Sequence, residues 1–349
     1  MKFRALLFLA LGALAASCDG WEVSSENQKG AGGGGTIEAQ ALGGPQGPQT
    51  LLQRIGNARQ VTLFQGVRRV EIFFGEGATQ RHVISREKVS ADGNGAFAIE
   101  LLDTIQPPMN ANQQSLARSL HSLRQGMSWR YRDFSINAQG LFLQNYRAAD
   151  TGVTATIAGR TTIELQIERL DGSGSIYSVM VDGLTGLVLK SRETSPEGAL
   201  ISEMTYESLD LAPDLSGVAW HQSVNNEQAL PSFGRLESTV GFEFKAPRTL
   251  PAGFQLVERS SVLDPQDRST WVKATYSDGV ESLFFLHGGP IVADNGIKSG
   301  APLIGGDLVE VTAAVPWTIA RGNLRAQRVM ALGKVGEVEL LGMLRSAME

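Results

Sequence analysis

The chain has 349 residues with 42% apolar and 19% charged content, enough for packed cores and longer than one typical domain. A net charge of −5 is a poor footprint for nucleic acid, where a basic stripe is expected, so nucleic-acid binding is disfavoured. One cysteine, Cys18, leaves no intramolecular disulfide, thiolate zinc site or Cys-Cys redox pair, and His82, His121, His221 and His287 show no metal-ligand spacing.

Met1-Lys2-Phe3-Arg4 is a short basic region, and residues 5–16 are apolar and end in small side chains. Such a segment is a secretory signal, being too short and wrongly flanked to span a bilayer. It stops at Ala15-Ala16-Ser17-Cys18, which resembles a bacterial lipobox, with Leu14 one place further from the cysteine than usual. The plainer alternative is an ordinary signal with a coincidental cysteine. We expect a signal over 1–17 and a lipid anchor on Cys18. Removing Lys2 and Arg4 takes the 31 basic residues to 29 against 36 acidic ones, net −7. Residues 18–49 hold Gly30, Gly32 to Gly35, Gly43-Gly44-Pro45 and Gly47-Pro48. No Lys-Ser/Thr follows the glycines, so this is a tether rather than a phosphate loop, with a reach of roughly 30 Å. Beyond the signal no apolar run approaches the ~20 residues of a membrane span.

Thr50 is placed to cap a first helix carrying Leu51, Leu52, Ile55 and Ala58 at helical spacing. Residues 61–74, 82–89 and 96–102 read as strands, with Asp92-Gly93-Asn94-Gly95 turning the last pair. Ser85-Arg86-Glu87-Lys88 matches a Ser-x-x-Lys pattern by chance, since it lies in a strand-like run without companion motifs. Residues 111–124 form an amphipathic helix with Leu116, Leu120 and Leu123 on one stripe and His121 on its surface. Residues 127–145 then hold apolar side chains in excess of simple alternation. They are core in a flat sheet, but in a sheet curved around a helix they would line an apolar groove. Phe64, Phe73, Trp129, Tyr131, Phe134 and Phe142 are the groove candidates.

From residue 159 the pattern is a four-strand meander. Ile163, Leu165 and Ile167 alternate with Thr162, Glu164, Gln166 and Glu168, as in a half-wet strand. Asp171-Gly172-Ser173-Gly174, Asp182-Gly183 with Thr185-Gly186, and Pro196-Glu197-Gly198 supply three short turns, which join antiparallel neighbours. Glu164, Glu168, Glu203 and Glu207 fall on the solvated faces. Residues 213–231 read as a connector, with Trp220-His221 and a polar run. Tyr276-Ser277-Asp278-Gly279 turns the chain ahead of a strand over 280–287, and residues 335–348 end it as a short helix with Val338, Leu341 and Leu344 aligned.

Ala158-Gly159-Arg160, the run from Tyr177 to Asp182 and Thr185-Gly186-Leu187-Val188-Leu189-Lys190-Ser191 resemble, in order, the N-terminal domain of the periplasmic sigma-E regulatory proteins, the RseB/MucB family. Leu250-Pro251-Ala252-Gly253-Phe254, Tyr276-Ser277-Asp278-Gly279-Val280 and Val335-Gly336-Glu337-Val338 resemble landmarks of that family's C-terminal domain. The resemblance covers about residues 60–349. It implies an α+β chain. A curved antiparallel half-barrel packed on helices, like the lipoprotein carriers LolA and LolB, occupies 50–212; a connector covers 213–241; a smaller α+β domain occupies 242–349.

No nucleophile elbow, Walker sequence, His-Glu-x-x-His or paired carboxylates in a cleft is present. The chain reads as a binding protein rather than an enzyme, with no cofactor and no metal. By resemblance, its partner is the periplasmic part of a membrane-spanning anti-sigma factor, and an acyl chain or lipopolysaccharide-like ligand in the groove is its input. The other class is a lipid or lipoprotein carrier using the same groove. The second domain favours the regulator, because the simple carriers are single half-barrels. The relatives are mostly soluble periplasmic proteins, whereas this chain has a lipobox and a tether. Acylation of Cys18 is tested by detergent phase partitioning: the wild type should enter the detergent phase and Cys18→Ala should leave it. Equal retention of both would refute the anchor.

Overall fold

The computed structural model describes residues 48–74, 81–122, 125–221, 227–229, 240–263, 270–290, 301–302, 308–314, 317–324 and 327–347. Cys18, the signal and most of the tether lie outside them. The first helix, α1 (Pro48–Val61), starts earlier than expected, so Thr50 sits inside it rather than at its cap. A proline in the first turn costs little, since its missing N–H would have had no helical partner. Leu51, Leu52, Ile55 and Ala58 are all buried, as their spacing requires.

Strands β1 (Leu63–Phe74), β2 (Arg81–Asp92) and β3 (Phe97–Gln106) follow. The β2–β3 turn forms because Asp92 Oδ1 accepts the amides of Asn94 at 2.7 Å and Ala96 at 2.9 Å. After α2 (Ala111–Ser122), a short helical stretch at Gln125–Met127, a π-helical turn at Ser128–Arg132 and α3 (Gln139–Asn145) lead into β4 (Tyr146–Ile157). Residues 127–145 are thus helical and irregular rather than part of the sheet. The meander is β5 (Arg160–Arg169), β6 (Ile176–Asp182), β7 (Val188–Thr194) and β8 (Leu200–Asp210). The result is an open eight-stranded sheet in the order β3-β2-β1-β8-β7-β6-β5-β4, antiparallel at every pairing.

One face of this sheet carries the core. Val70, Val89, Ile99, Leu165, Ile167, Val179, Leu189 and Met204 are buried there beneath α1 and the segment around Trp129 to Ile136. One strand is added to the expected set and one helix departs from it. β4 is an added edge strand, nearly all exposed after Tyr146, so its sequence carries no one-sided alternation. The helix α2 buries no residue, Leu116 is 61% exposed and Leu120 is half-buried, and Leu123, the third residue of the expected stripe, lies outside the described residues. The helix lies on strand β3 through polar contacts instead: Arg118 donates to the carbonyl of Leu102 at 2.7 Å and Gln114 to that of Thr104 at 3.2 Å.

The second sheet also has eight strands among the described residues, in the order β13-β14-β15-β16-β12-β11-β10-β9. These are β9 (Glu227–Ala229), β10 (Gln255–Leu263), β11 (Thr270–Ser277), β12 (Ser282–Pro290), β13 (Ala301–Pro302), β14 (Leu308–Ala314), β15 (Trp317–Leu324) and β16 (Gln327–Gly333). β9 comes from the stretch expected to be connector and pairs with β10. Leu283, Phe285, Val329 and Ala331 pack with the last helix, α4 (Glu337–Ser346); Phe284, Leu286 and Leu332 face the opposite way, toward Tyr131 of the first domain. A sheet buried on both faces cannot show simple alternation.

Glu339 folds back to accept the amide of Gly336 at 2.7 Å and starts α4. The buried face of α4 is Leu340, Leu341, Met343 and Leu344, whereas Val338, expected to face inward, is 83% exposed. Leu344→Ala should therefore lower stability by about 2–5 kcal/mol, while Val338→Ala should change it by less than about 0.5 kcal/mol. Urea unfolding of the two variants separates these outcomes.

Candidate functional site

The six groove candidates do not share one wall. Phe64 and Trp129 lie in one cluster, where Trp129 stacks on Phe97 at 4.9 Å and on Phe64 at 6.3 Å. Phe134 and Phe142 belong to a second cluster with α1 and strands β4 to β6. Tyr131 crosses to the other domain and meets Phe284 edge-on at 4.9 Å. Phe73 is half-buried beside His82. All but Phe73 are buried.

Between these aromatics runs a buried ionic cluster. Arg68 of β1 and Glu87 of β2 are directly paired across strands and are both 1% exposed. Arg68 donates to Glu87 Oε2 from Nε at 3.0 Å and from Nη2 at 2.8 Å, and its Nη1 reaches Asp133 Oδ2 at 2.9 Å. Arg132, in the π-helical turn, donates to both oxygens of Glu87 at 2.7 and 2.8 Å and to Asp133 Oδ1 at 2.9 Å. Arg59 of α1 binds the carbonyls of Trp129 and Phe134 and lies over the Trp129 ring. Burial alone would raise the Glu87 carboxyl, but Arg132 and Arg68 together hold it well below the usual carboxylate range. His121, expected on the surface, points at Glu87 Oε1 at 3.8 Å, and burial lowers its pKa so that it stays neutral at pH 7. The cluster ties the helical layer to the sheet through charge.

The second constellation joins the two sheets and the cores they carry, the first and second units of the chain. Residues 277–281, the turn between β11 and β12, enter the first domain. Gly279 has φ +112, and a methyl there would overlap the backbone of Phe142, so only glycine fits. Its carbonyl accepts the Asn137 amide at 2.8 Å, and the Val280 carbonyl accepts Asn137 Nδ2 at 2.7 Å. The Val280 side chain, expected on a strand, instead completes the cluster around Phe134, Phe142 and Tyr146.

Asp278, 1% exposed, is fully engaged. Its Oδ1 accepts the amides of Val280 at 3.1 Å and Glu281 at 2.8 Å; its Oδ2 accepts the Tyr146 hydroxyl at 2.7 Å and Arg169 Nη1 at 2.5 Å. Burial, reinforced by the Asp278 charge, raises the Tyr146 phenol far above its ordinary value and keeps it a donor. Asn145 Nδ2 donates to the carbonyls of Asp278 at 2.9 Å and Gly253 at 3.0 Å, and Arg169 Nη2 donates to that of Ala252 at 2.8 Å. Tyr177 donates to Glu281 Oε1, and Lys334 bridges Glu193 Oε2 at 3.1 Å and Glu281 Oε1 at 3.3 Å.

A small cleft separates the two constellations, lined among others by Arg132, Asp133, Phe134, Tyr177, Glu193 and Met204. Among the described residues no group of three or more His, Cys, Asp or Glu side chains is arranged to hold a metal ion. The geometry supplies interlocked surfaces rather than a placed nucleophile. Arg68, Glu87, Arg169 and Glu193 escaped the sequence reading, although a signal existed: each falls in phase with buried neighbours on its strand. Arg169 follows Leu165 and Ile167, and Glu87 precedes Val89 and Ala91.

Gly279→Ala tests the junction. It should destabilise the chain by about 1–3 kcal/mol and accelerate proteolytic cleavage within residues 213–241, as monitored by mass spectrometry. Unchanged stability and cleavage would mean the turn is not needed to hold the domains together.

No protein-family model matches the chain, and no curated protein matches its sequence. Among solved structures, it is similar to MucB of Pseudomonas aeruginosa in a MucA/MucB complex, at 16% identity and a TM-score of 0.48, over 86% of this chain and 96% of that one. A structure of MucB in complex with MucA(peri) is similar at 16% identity and a TM-score of 0.47, with the same coverage. MucB alone is similar at 18% identity and a TM-score of 0.43, over 86% and 96% of the two chains.

Proposed function

We propose that this chain is an exported, membrane-anchored and non-enzymatic regulator that binds the periplasmic part of a membrane-spanning anti-sigma factor. The observation that carries the reading is where the family landmarks fall. Residues 250–254 and 276–280 supply Ala252, Gly253, Asp278, Gly279 and Val280 to the junction, and Tyr177 meets them from the first domain. At Thr185-Gly186, a methyl on Gly186 would overlap the backbone of Arg54 in α1, so this landmark seats the first helix. The resemblance thus lies in the residues that set how two domains meet. A carrier consisting of a half-barrel alone needs no such junction.

The proposal extends to an acyl chain or lipopolysaccharide-like ligand as the input, acting where Phe64, Trp129 and Phe134 pack between sheet and helices. Magnitudes set the condition. Burying ten methylenes contributes roughly 8 kcal/mol gross, while association costs on the order of 4–15 kcal/mol. An acyl ligand must therefore bury most of its length, which requires the segment around Trp129 to lift. Ligand-dependent release also requires unequal affinity for the two states.

Crosslinking the epitope-tagged full-length chain in its own bacterium, followed by identification of captured proteins, tests the partner. A single-span membrane protein whose cytoplasmic part holds a sigma factor is expected. Capture of lipoproteins in transit instead would favour the carrier. Adding palmitate or lipid A to the purified complex should release the partner, and release by neither would remove the lipid input.

A further inference from the structure

The junction holds more carboxylate than cation. Three acidic side chains largely removed from water, Asp278, Glu281 and Glu193, together with the exposed Asp171, face two basic ones, Arg169 and Lys334. Asp278 takes Arg169 Nη1, while Asp171 holds the Nε and Nη2 of the same guanidinium at the solvent edge. That leaves Glu193 of β7 and Glu281 of the β11–β12 turn sharing the Lys334 ammonium, which stands just after β16. The remaining contacts of the pair are hydroxyls. Ser175 and Ser202 donate to Glu193 at 2.8 and 3.0 Å, and Tyr177 of β6 donates to Glu281. Across the small cleft stand Arg132 and Asp133, already engaged with each other and with Glu87 and Arg68. Glu193 comes from one domain and Glu281 with Lys334 from the other, so this surplus charge exists only while the domains are closed.

We propose that closing the junction takes up one proton on the Glu193–Glu281 pair, so that the two domains part more readily as pH rises toward and beyond neutrality. Two carboxylates held on one ammonium in a desolvated site cannot both ionise without cost. Opening returns Glu281 to water, where it ionises as an ordinary carboxyl. Consistent with the geometry, burial raises Glu281 from 4.5 to about 7 despite Lys334, with Glu193 adding to the rise. Lys334 is itself opposed by burial, but Glu193 and Glu281 hold it above its usual range, so it remains the charged member. The sign follows: the closed form binds the proton more tightly than the open form. The protonated carboxyl therefore contributes fully below about pH 4.5, and its contribution is lost as pH rises through about 7. This inference goes beyond partner binding and does not rest on it.

Hydrogen–deuterium exchange of the intact chain, alone, tests the proposal. Rates are corrected for the intrinsic pH dependence of amide exchange. The reporter is the peptide containing Asn137, whose amide bonds across the junction to Gly279, and a peptide around Val89 is the internal control. In the wild type the reporter should open about tenfold more at pH 8 than at pH 6, while the control stays level. Glu281→Gln should abolish that dependence and hold the junction closed at pH 8. Glu193→Gln should do the same and serves as a second variant if the first does not fold. Lys334→Met, which leaves the carboxylates without their cation, should shift the transition to higher pH. A wild-type reporter indifferent to pH, or one whose dependence survives in a folded Glu281→Gln or Glu193→Gln chain, would overturn the proposal.

Discussion

A carboxylate buried between two sheets is the constraint on which the arrangement of this molecule depends. Asp278 has left water almost completely, and a charge in that position is tolerated only when its oxygens are filled. They are filled from both sides: by the amides of its own turn and by Tyr146 and Arg169 of the other domain. Neither domain alone offers Asp278 this full set. The turn that carries it also inserts Val280 into the neighbouring core and presses Gly279 against the backbone of α3. The contact therefore combines apolar burial with fixed polar geometry.

The same logic recurs inside the first domain. Buried ion pairs add little net stability over apolar packing, but breaking one costs about 3–5 kcal/mol because its partner is stranded. Arg68, Arg132, Glu87 and Asp133 therefore fix an arrangement more than they strengthen it. They bind the π-helical turn to the sheet at one position, and that position in turn places Trp129 in the core and Tyr131 against the second domain. Strand pairing bends to accommodate them, with shifts of register beside Arg68 and beside Glu87. The interior of the half-barrel is consequently divided into apolar clusters separated by charge. Two constellations face each other across the small cleft, one with a cation in surplus once Arg59 beside Asp133 is counted and one with surplus carboxylate.

Local sequence was sufficient for much of the fold. Leu165 and Ile167 are buried as their alternation requires, although Thr162, expected on the wet face, is buried and donates to the Ala155 carbonyl and Ile163 is only half-buried; the Gly-rich turns leave only antiparallel neighbours. The first helix buries the four residues its spacing marks. Where both faces of an element meet protein, or neither does, the pattern disappears. β12 buries Phe284 and Phe285 toward opposite layers, and β4 is exposed on nearly all its length. On α2 the pattern misleads for Leu116, which is exposed, while Leu120 is half-buried: the helix is held by Arg118 and Gln114 on strand carbonyls.

By itself the sequence determined the meander, the first helix, the turns at Asp92 and Asp278, and a resemblance carried by the order of short phrases. These depend on side-chain periodicity and on glycine and aspartate at fixed local offsets, which act within a few residues. Only the tertiary structure decided that five of the six aromatics divide among three clusters while Phe73 joins none, that His121 faces Glu87, and that Glu193, Glu281 and Lys334 meet. Glu193 and Lys334 are 141 positions apart in the chain. No local propensity records such a distance. It is set by which face of each sheet is left apolar and by the need to satisfy each charge that the closed domains bury.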